Sequence, residues 1–433
     1  MNPSLRRTLV LLATLLCLGG LSRWLDRPAT VPGDVLSHDP LFGLTAAQAI
    51  VSDRALFTEV WSLRSDTPAT ASATIDPLPR SRSLAIALSG HVKSPVRLTW
   101  TGGSQEILLR HSGWQEIPLA SSSGKNCGPL HIVATVAGPG EFVSVARPYY
   151  TDFLHGSTAR LFGRACTLGL TFLWITLLVT AAAALLQRTW SDLPVYLLPI
   201  LGAATVALCG YGLFGCYFIH PRLGDIAAVA LGLAALGRWA CDRRIDSLWR
   251  DAAWTRTWLA LLAVGLLYFS LLHFWNCDAP WSGLVGTRYT NGSTADHMLP
   301  WIYAERLLQG LDSRILDTDW LSSDRPPMQS AWIMLLGPWL HPGGGPADAI
   351  SQAMGFWFQL LWVPALAAFF RRLGLGLRDA LLLVFLAALH GLIFINSIYV
   401  WPKLSAAAFC LGGWVLLGSR LDAKTSVRDT LLG

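Results

Sequence analysis

The feature that most limits what this chain can fold into is a succession of long apolar runs, most of them closed by an arginine or by a Pro- or Gly-rich break. Segments 161–186, 193–219, 226–240, 258–275, 354–370, 381–395 and 404–417 each read as a helix that crosses a bilayer. An eighth run, 8–21, follows Arg6 and Arg7. A charged start and an apolar core also describe a secretion signal, but no convincing small-x-small cleavage motif precedes Arg23, so the run reads as an uncleaved anchor. The expected architecture is a polytopic α-helical membrane protein of about eight spans. Composition agrees: 14% of residues are charged, where a soluble domain carries roughly a quarter. Twenty tryptophans suit the two membrane–water interfaces.

The net charge of +6 does not point to nucleic acid, because the basic residues stand in short clusters beside the apolar runs. There they set topology. If Arg6 and Arg7 are cytoplasmic, alternate crossings put Arg188, the arginines of 243–256, Arg371, Arg372 and Arg420 on the same side. Arg160 and Arg164 fall on the other side as a minor exception. The expected location is a bacterial cytoplasmic (inner) membrane with both termini inside. The eight cysteines are scattered and form no CxxC pair, which argues against a zinc site or a disulfide framework.

Residues 24–155 differ in kind. Segment 44–63 (LTAAQAIVSDRALFTEVWSL) has apolar residues at helical spacing and is expected to be a helix. The runs SLAIALSGH, PVRLTWT, SQEILLRH, LHIVATVAG and EFVSVAR then read as strands, bounded by Gly, Pro and Ser. Five such strands imply a small antiparallel sandwich, expected on the extracytoplasmic face. The chain thus divides into an anchor (1–23), a β-rich domain (24–155), a three-span region (156–256) and a second membrane region (257–433).

Within that last region lies a polar segment, 276–329, rich in acids and arginines. A loop of this length between spans is rarely only a connection. Segment 331–340, just after it, is too short to cross and is expected to lie in the interface. The stretch ADHMLPWIYAERLLQG, followed fifteen residues after Gly310 by Arg325-Pro326-Pro327, resembles the first extracytoplasmic loop of GT-C glycosyltransferases. The likeness is to the family 39, protein mannosyltransferase and aminoarabinose transferase type. It extends over roughly residues 257–418. In that family an Asp, often followed by Glu, opens the first helix, and Lys-Pro-Pro or Arg-Pro-Pro opens the second. Asp296 holds the Asp position here, while His297 stands where the second acid is usual.

The resemblance implies an inverting glycosyltransferase that takes a sugar from a polyprenyl-phosphate carrier to a glycan, lipid or protein acceptor, with no cofactor. Attack at the anomeric carbon needs a base for the acceptor proton, and Asp296 is the candidate. The same residue is also well placed as a helix N-cap. The departing lipid phosphate needs a fixed positive charge. Arg325 fits because a guanidinium binds phosphate oxygens bidentately, and Lys403 is a second candidate. Both also read as interface anchors. His297, Glu305, Arg288 and Asp319 are further candidates for substrate contacts. Asp317-Thr318-Asp319 has the form of a metal-binding DxD, a tripeptide common by chance, and no metal is assigned to it. Two other classes compete. A transporter or flippase normally keeps ionisable groups inside its spans, and these hold almost none, with Asp225 at a span edge. A non-catalytic anchor for the β-rich domain leaves the acidic loop unexplained.

Overall fold

A computed structural model of the chain describes residues 3–25, 36–38, 42–45, 49–51, 55–57, 60–75, 84–101, 103–110, 115–119, 129–146, 148–150, 157–273, 281, 285, 299–312, 316–317, 320–321, 327–336 and 347–424. The chain forms two compact units. One comprises Trp24–Gly163 with Asn276–Ala279, and the other Met1–Arg23, Arg164–Trp275 and Pro280–Gly433.

The first unit is built of antiparallel strands: β1 (Leu36–His38), β2 (Phe42–Thr45), β3 (Ala49–Val51), β4 (Ala55–Phe57), β5 (Val60–Arg64), β6 (Ala69–Ile75), β7 (Leu84–His91), β8 (Val96–Trp100), β9 (Gly103–Ile107), β10 (Gln115–Pro118), β11 (Leu130–Val136), β12 (Phe142–Ala146) and β13 (Tyr149–Tyr150). One sheet runs β1-β6-β11-β8-β9 and the other β10-β7-β12-β5-β2, with β13 also paired to β7. A third pairing joins β3 to β4. Alternation explains the layers. In β11, Leu130, Ile132, Ala134 and Val136 are buried in the core, while His131 and Val133 are exposed. The outer face carries cross-strand polar pairs: Thr74 Oγ1 and His131 Nδ1 at 3.0 Å, Thr70 and Thr135 hydroxyls at 3.0 Å, and Arg97 donating to Glu106. β7 is buried from Leu84 to Gly90, as expected of a strand flanked by neighbours on both edges and covered on both faces.

The helix expected over 44–63 is not there. This stretch contributes part or all of β2, β3, β4 and β5. β5 pairs with β12 from Val60↔Ala146 to Arg64↔Phe142, and Trp61 and Leu63 enter the sandwich core. Pairing and burial with distant strands outweigh a local helical period, which is only a weak preference. β6, rich in Ala and Thr, lies in the middle of its sheet although its sequence is barely apolar.

The second unit is helical: α1 (Pro3–Leu25), α2 (Ser157–Thr189), α3 (Leu198–Ile219), α4 (Pro221–Cys241), α5 (Arg243–Arg250), α6 (Ala252–His273), α7 (Leu299–Gln309), α8 (Met328–Met334), α9 (Ala347–Gln359), α10 (Trp362–Arg372), α11 (Leu377–Ala388), α12 (Gly391–Ile398) and α13 (Lys403–Lys424). Among the described residues, five helical stretches are long and apolar enough to cross a membrane: Thr158–Thr189, Val195–Ile219, Pro221–Cys241, Ala252–His273 and Ala349–Arg372. The pair α11 and α12 makes a sixth if counted together, and Thr8–Ser22 and Lys403–Gly418 are shorter apolar helices. Phe218, Ile219, Ile226, Leu233 and Leu259 point outward from these helices, an arrangement suited to lipid rather than water. The helical unit is that of a multi-pass membrane protein.

Several helices are broken, and each break has an identifiable cause. Pro364 has no N–H to give to the Leu360 carbonyl; Val363 N donates to it instead at 2.9 Å, tightening the α9–α10 junction. The run 381–395, expected as one straight span, is bent by 79° between α11 and α12. His390 sits at the bend, where its Nδ1 accepts from Leu392 N at 3.3 Å and caps α12. α8 also departs from expectation. It is packed inside the unit, with Gln329, Ser330, Ala331, Trp332 and Met334 all buried. Trp332 stacks on Phe358 at 4.1 Å.

The alternation in β11 gives a direct test. Ile132→Ala should destabilise the β unit by about 2–5 kcal/mol, whereas Val133→Ala, one residue along on the exposed face, should cost under about 0.5 kcal/mol. Protease resistance of the β unit in the full chain, measured across a temperature series, checks both.

Candidate functional site

The candidate site is assembled on α7, α8 and the irregular segment between α12 and α13. α7 docks through one face only: Tyr303, Ala304 and Leu307 form a buried cluster with Tyr217 of α3 and Met334 of α8. Phe214 meets Tyr303 edge to face at 5.5 Å. The helix ends at Gly310, whose φ of +69° is open to glycine at little cost. Gly310 N donates to the Leu307 carbonyl and Leu311 N to the Arg306 carbonyl, the paired closure of a Schellman motif. The Arg306 guanidinium then donates to the Asp312 carbonyl, holding the chain as it leaves. A side chain at Gly310 would come within 3.0 Å of Pro221, so this end rests against the start of α4.

At that start, His220 Nδ1 accepts from Arg222 N at 3.2 Å and caps α4, with Pro221 in its first turn. Tyr217 Oη donates to Asp225 Oδ1 at 2.9 Å. This pair ties the end of α3 to the first turns of α4 and supplies the half-buried Asp225 carboxylate with a donor.

The segment Tyr399–Pro402 is not helical; the Pro402 carbonyl accepts from Ala406 N of α13 at 2.9 Å, whereas the Val400 and Trp401 carbonyls call for donors from outside the helix. Two buried glutamines supply them. Gln329 Nε2, in the first turn of α8, donates to the Val400 carbonyl at 2.6 Å. Gln359 Nε2, at the end of α9, donates to the Trp401 carbonyl, and its Oε1 accepts from Ser405 N at 3.2 Å. A side chain added at Gly355 would collide with Val400, so only glycine lets α9 approach the segment this closely. α8 is fastened to α7 as well, since Ser330 Oγ donates to the Pro300 carbonyl at 2.8 Å. The start of α7, the start of α8 and the 399–402 segment therefore meet at one hydrogen-bonded junction.

Of the residues singled out in the sequence, Asp296, His297, Arg288, Asp319 and Arg325 lie outside the described residues. Glu305 and Lys403 are described. Glu305 is half-buried on the side of α7 away from the docked cluster, where its Oε1 accepts from Gln309 Nε2 at 3.4 Å. Lys403 is exposed in the first turn of α13, with its Nζ 4.0 Å from the centre of the Trp401 ring. That contact is a cation–π pair, and it leaves the ammonium donors open to an anionic group. Among the described residues no three His, Cys, Asp or Glu side chains come together as a metal site. Gln329, Gln359 and the Tyr217–Asp225 pair were not picked out by sequence reasoning. The signal that would have found the glutamines is an amide at the edge of, or within, an apolar stretch, where a polar group needs a partner.

No protein-family model matches the chain, and no curated protein matches it in sequence. A search of solved structures finds TmCBM61, a carbohydrate-binding module in complex with beta-1,4-galactotriose, at 13% identity, covering 26% of this chain and 84% of that one with a TM-score of 0.20.

Removing one clamp tests the junction. Gln359→Leu takes away the side-chain partner of Ser405 N in the interior, at a cost of about 1–3 kcal/mol, and leaves the Trp401 carbonyl with the Lys403 N–H as its donor. The thermal transition in detergent should fall, and amide exchange should rise across 399–406. Gln309→Leu, on the exposed end of α7, should change neither.

Proposed function

We propose that the chain is a membrane glycosyltransferase of the GT-C type, which moves a sugar from a polyprenyl-phosphate donor to an acceptor outside the cytoplasm. The observation that carries this reading is the junction of α7, α8 and segment 399–402. Asp296 precedes Pro300 by four residues, Arg325 precedes Gln329 by four, and Lys403 follows Val400 by three. Pro300, Gln329 and Val400 are linked to one another through the Ser330 and Gln329 hydrogen bonds. Four residues span at most roughly 14 Å, and this limit on the chain between each proposed residue and the junction is what supports the reading.

In this reading Asp296 takes the proton of the acceptor hydroxyl as its oxygen bonds to the anomeric carbon. The bond from that carbon to the phosphate oxygen breaks, the configuration inverts, and the polyprenyl phosphate leaves with its negative charge held by Arg325 and Lys403. Glu305, His297, Arg288 and Asp319 contact the sugar or the acceptor. The acceptor is a glycan, a lipid or a protein.

The topology that goes with this function has eight crossings, with the two shorter apolar helices counted as spans and α11 with α12 as one. Both termini face the cytoplasm of a bacterial inner membrane, and the β unit and the 276–329 segment share the outer side. A flippase is less well supported. The ionisable Asp225 is already paired with Tyr217 at a helix end.

Asp296→Asn should lower sugar transfer by about 10²–10⁴-fold while membrane insertion stays normal. Glycan profiles of cells carrying the variant report the first and membrane fractionation the second; a wild-type glycan profile would remove Asp296 from the mechanism. Arg325→Ala should weaken apparent donor affinity by about 10- to 100-fold, with a smaller effect on the acceptor. Donor titration in detergent extracts is the measurement.

A further inference from the structure

We infer that the corner formed by α5 and the start of α6 is a binding site for the headgroups of anionic phospholipids. The corner joins two membrane-spanning helices, α4 and α6, and is built rigidly. Asp242 Oδ1 accepts from Arg244 N at 3.0 Å and caps α5, while its Oδ2 pairs with Arg238 at 3.2 Å. Asp251 Oδ1 accepts from Ala253 N at 2.8 Å and Trp254 N at 3.1 Å, capping α6. Thr255 Oγ1 closes the turn by donating to the Trp249 carbonyl at 2.8 Å. Two of the three aspartates here are thus committed to helix caps, and Asp242 also lies 3.8 Å from Arg244.

The eight-residue α5 is sharply two-faced. Ile245 and Leu248 are buried, whereas Arg243, Arg244 and Arg250 are exposed. Trp249 is half-buried and wedged edge to face between Trp239 of α4 at 6.3 Å and Trp254 of α6 at 6.2 Å. These contacts lock the helix against both spans, and the placement suits the amphipathic indole ring of an interfacial tryptophan. Arg243 and Arg250 stand seven residues apart, two turns along one side of α5. Arg256 is exposed in the first turn of α6. Arg243, Arg250 and Arg256 make no ion pair among the described residues.

A guanidinium in this position can meet water, lipid phosphate or the exposed Asp246, a single carboxylate beside Arg243 and Arg250 on α5. Held on a capped corner between two spans, these three arginines lie at the level of the headgroups, where each gains attraction from negative lipid. The planar donor fork also matches a phosphodiester. The partner is therefore a phospholipid with net negative charge, such as phosphatidylglycerol, rather than a zwitterionic one. This inference depends on the membrane fold and not on the proposed enzyme activity.

The test uses the purified full chain in phosphatidylcholine bilayers containing spin-labelled phosphatidylglycerol or spin-labelled phosphatidylcholine, with the motionally restricted fraction of each label measured. The wild type should hold phosphatidylglycerol in preference. Arg243→Gln with Arg250→Gln should lower that preference by about fivefold for each arginine removed, with the thermal transition unchanged. Arg243→Lys with Arg250→Lys should retain most of it. Inorganic phosphate should displace the lipid no better than chloride at equal ionic strength. The inference is overturned if the wild type shows no preference, if the glutamine variant matches the wild type, or if free phosphate displaces the lipid specifically.

Discussion

Inside a bilayer a backbone carbonyl has no water to turn to, and the helical unit is organised by that constraint. A continuous helix satisfies its own backbone, but a broken one exposes carbonyls at every interruption. Side chains from other elements answer these in turn. Trp174 Nε1 donates to the Leu335 carbonyl at 3.0 Å, beyond the end of α8. Tyr268 Oη donates to the Ala388 carbonyl at 2.7 Å, at the bend after α11. Gln329 and Gln359 serve Val400 and Trp401. Each acceptor belongs to an interruption, and each donor comes from a helix that must be in place for the interruption to be stable.

The interruptions also bring segments distant in the chain together. A bundle of straight spans keeps its loops apart at the helix ends. Here α8 is short and buried and runs against α7 and α9, while the chain between α12 and α13 leaves helical geometry and runs against α8 and α9. The Trp357 indole adds to the same framework from the far side of α9, donating to the Leu168 carbonyl at 3.0 Å. Few of these contacts involve charge. Rigidity comes from neutral amides, indoles and phenols, which cost less to remove from water than ions do.

Much of this organisation was legible from local pattern, and the exceptions share a cause. The strands at Leu84–His91 and Leu130–Val136 were visible because burial on a sheet writes a local alphabet: a continuous apolar run in one, strict alternation in the other. The apolar spans were visible because a bilayer demands length. Segment 44–63 misled because its helical spacing is local, while its true partners, such as β12, lie some eighty residues away. The bend at His390 was hidden because neither proline nor a charge marks it; what stabilises it is a tyrosine 120 residues earlier. At the candidate site, the Asp296 and Arg325 motifs were legible as residues. The glutamines that hold Val400 and Trp401 were not, since an amide shows its worth only once its acceptor is known.

The pairing of Gln329 and Gln359 with Val400 and Trp401 has a consequence for how the protein is made. The donors precede their acceptors by 71 and 42 residues in the chain. Synthesis runs from the amino terminus, so both amides are delivered before the carbonyls that will receive them. Until the later segment arrives, each amide must be hydrated or borrow another partner. Maturation of the junction is therefore vectorial: a receptor prepared by earlier helices waits for a later part of the chain, and its closure records that α12 and α13 have been threaded in register.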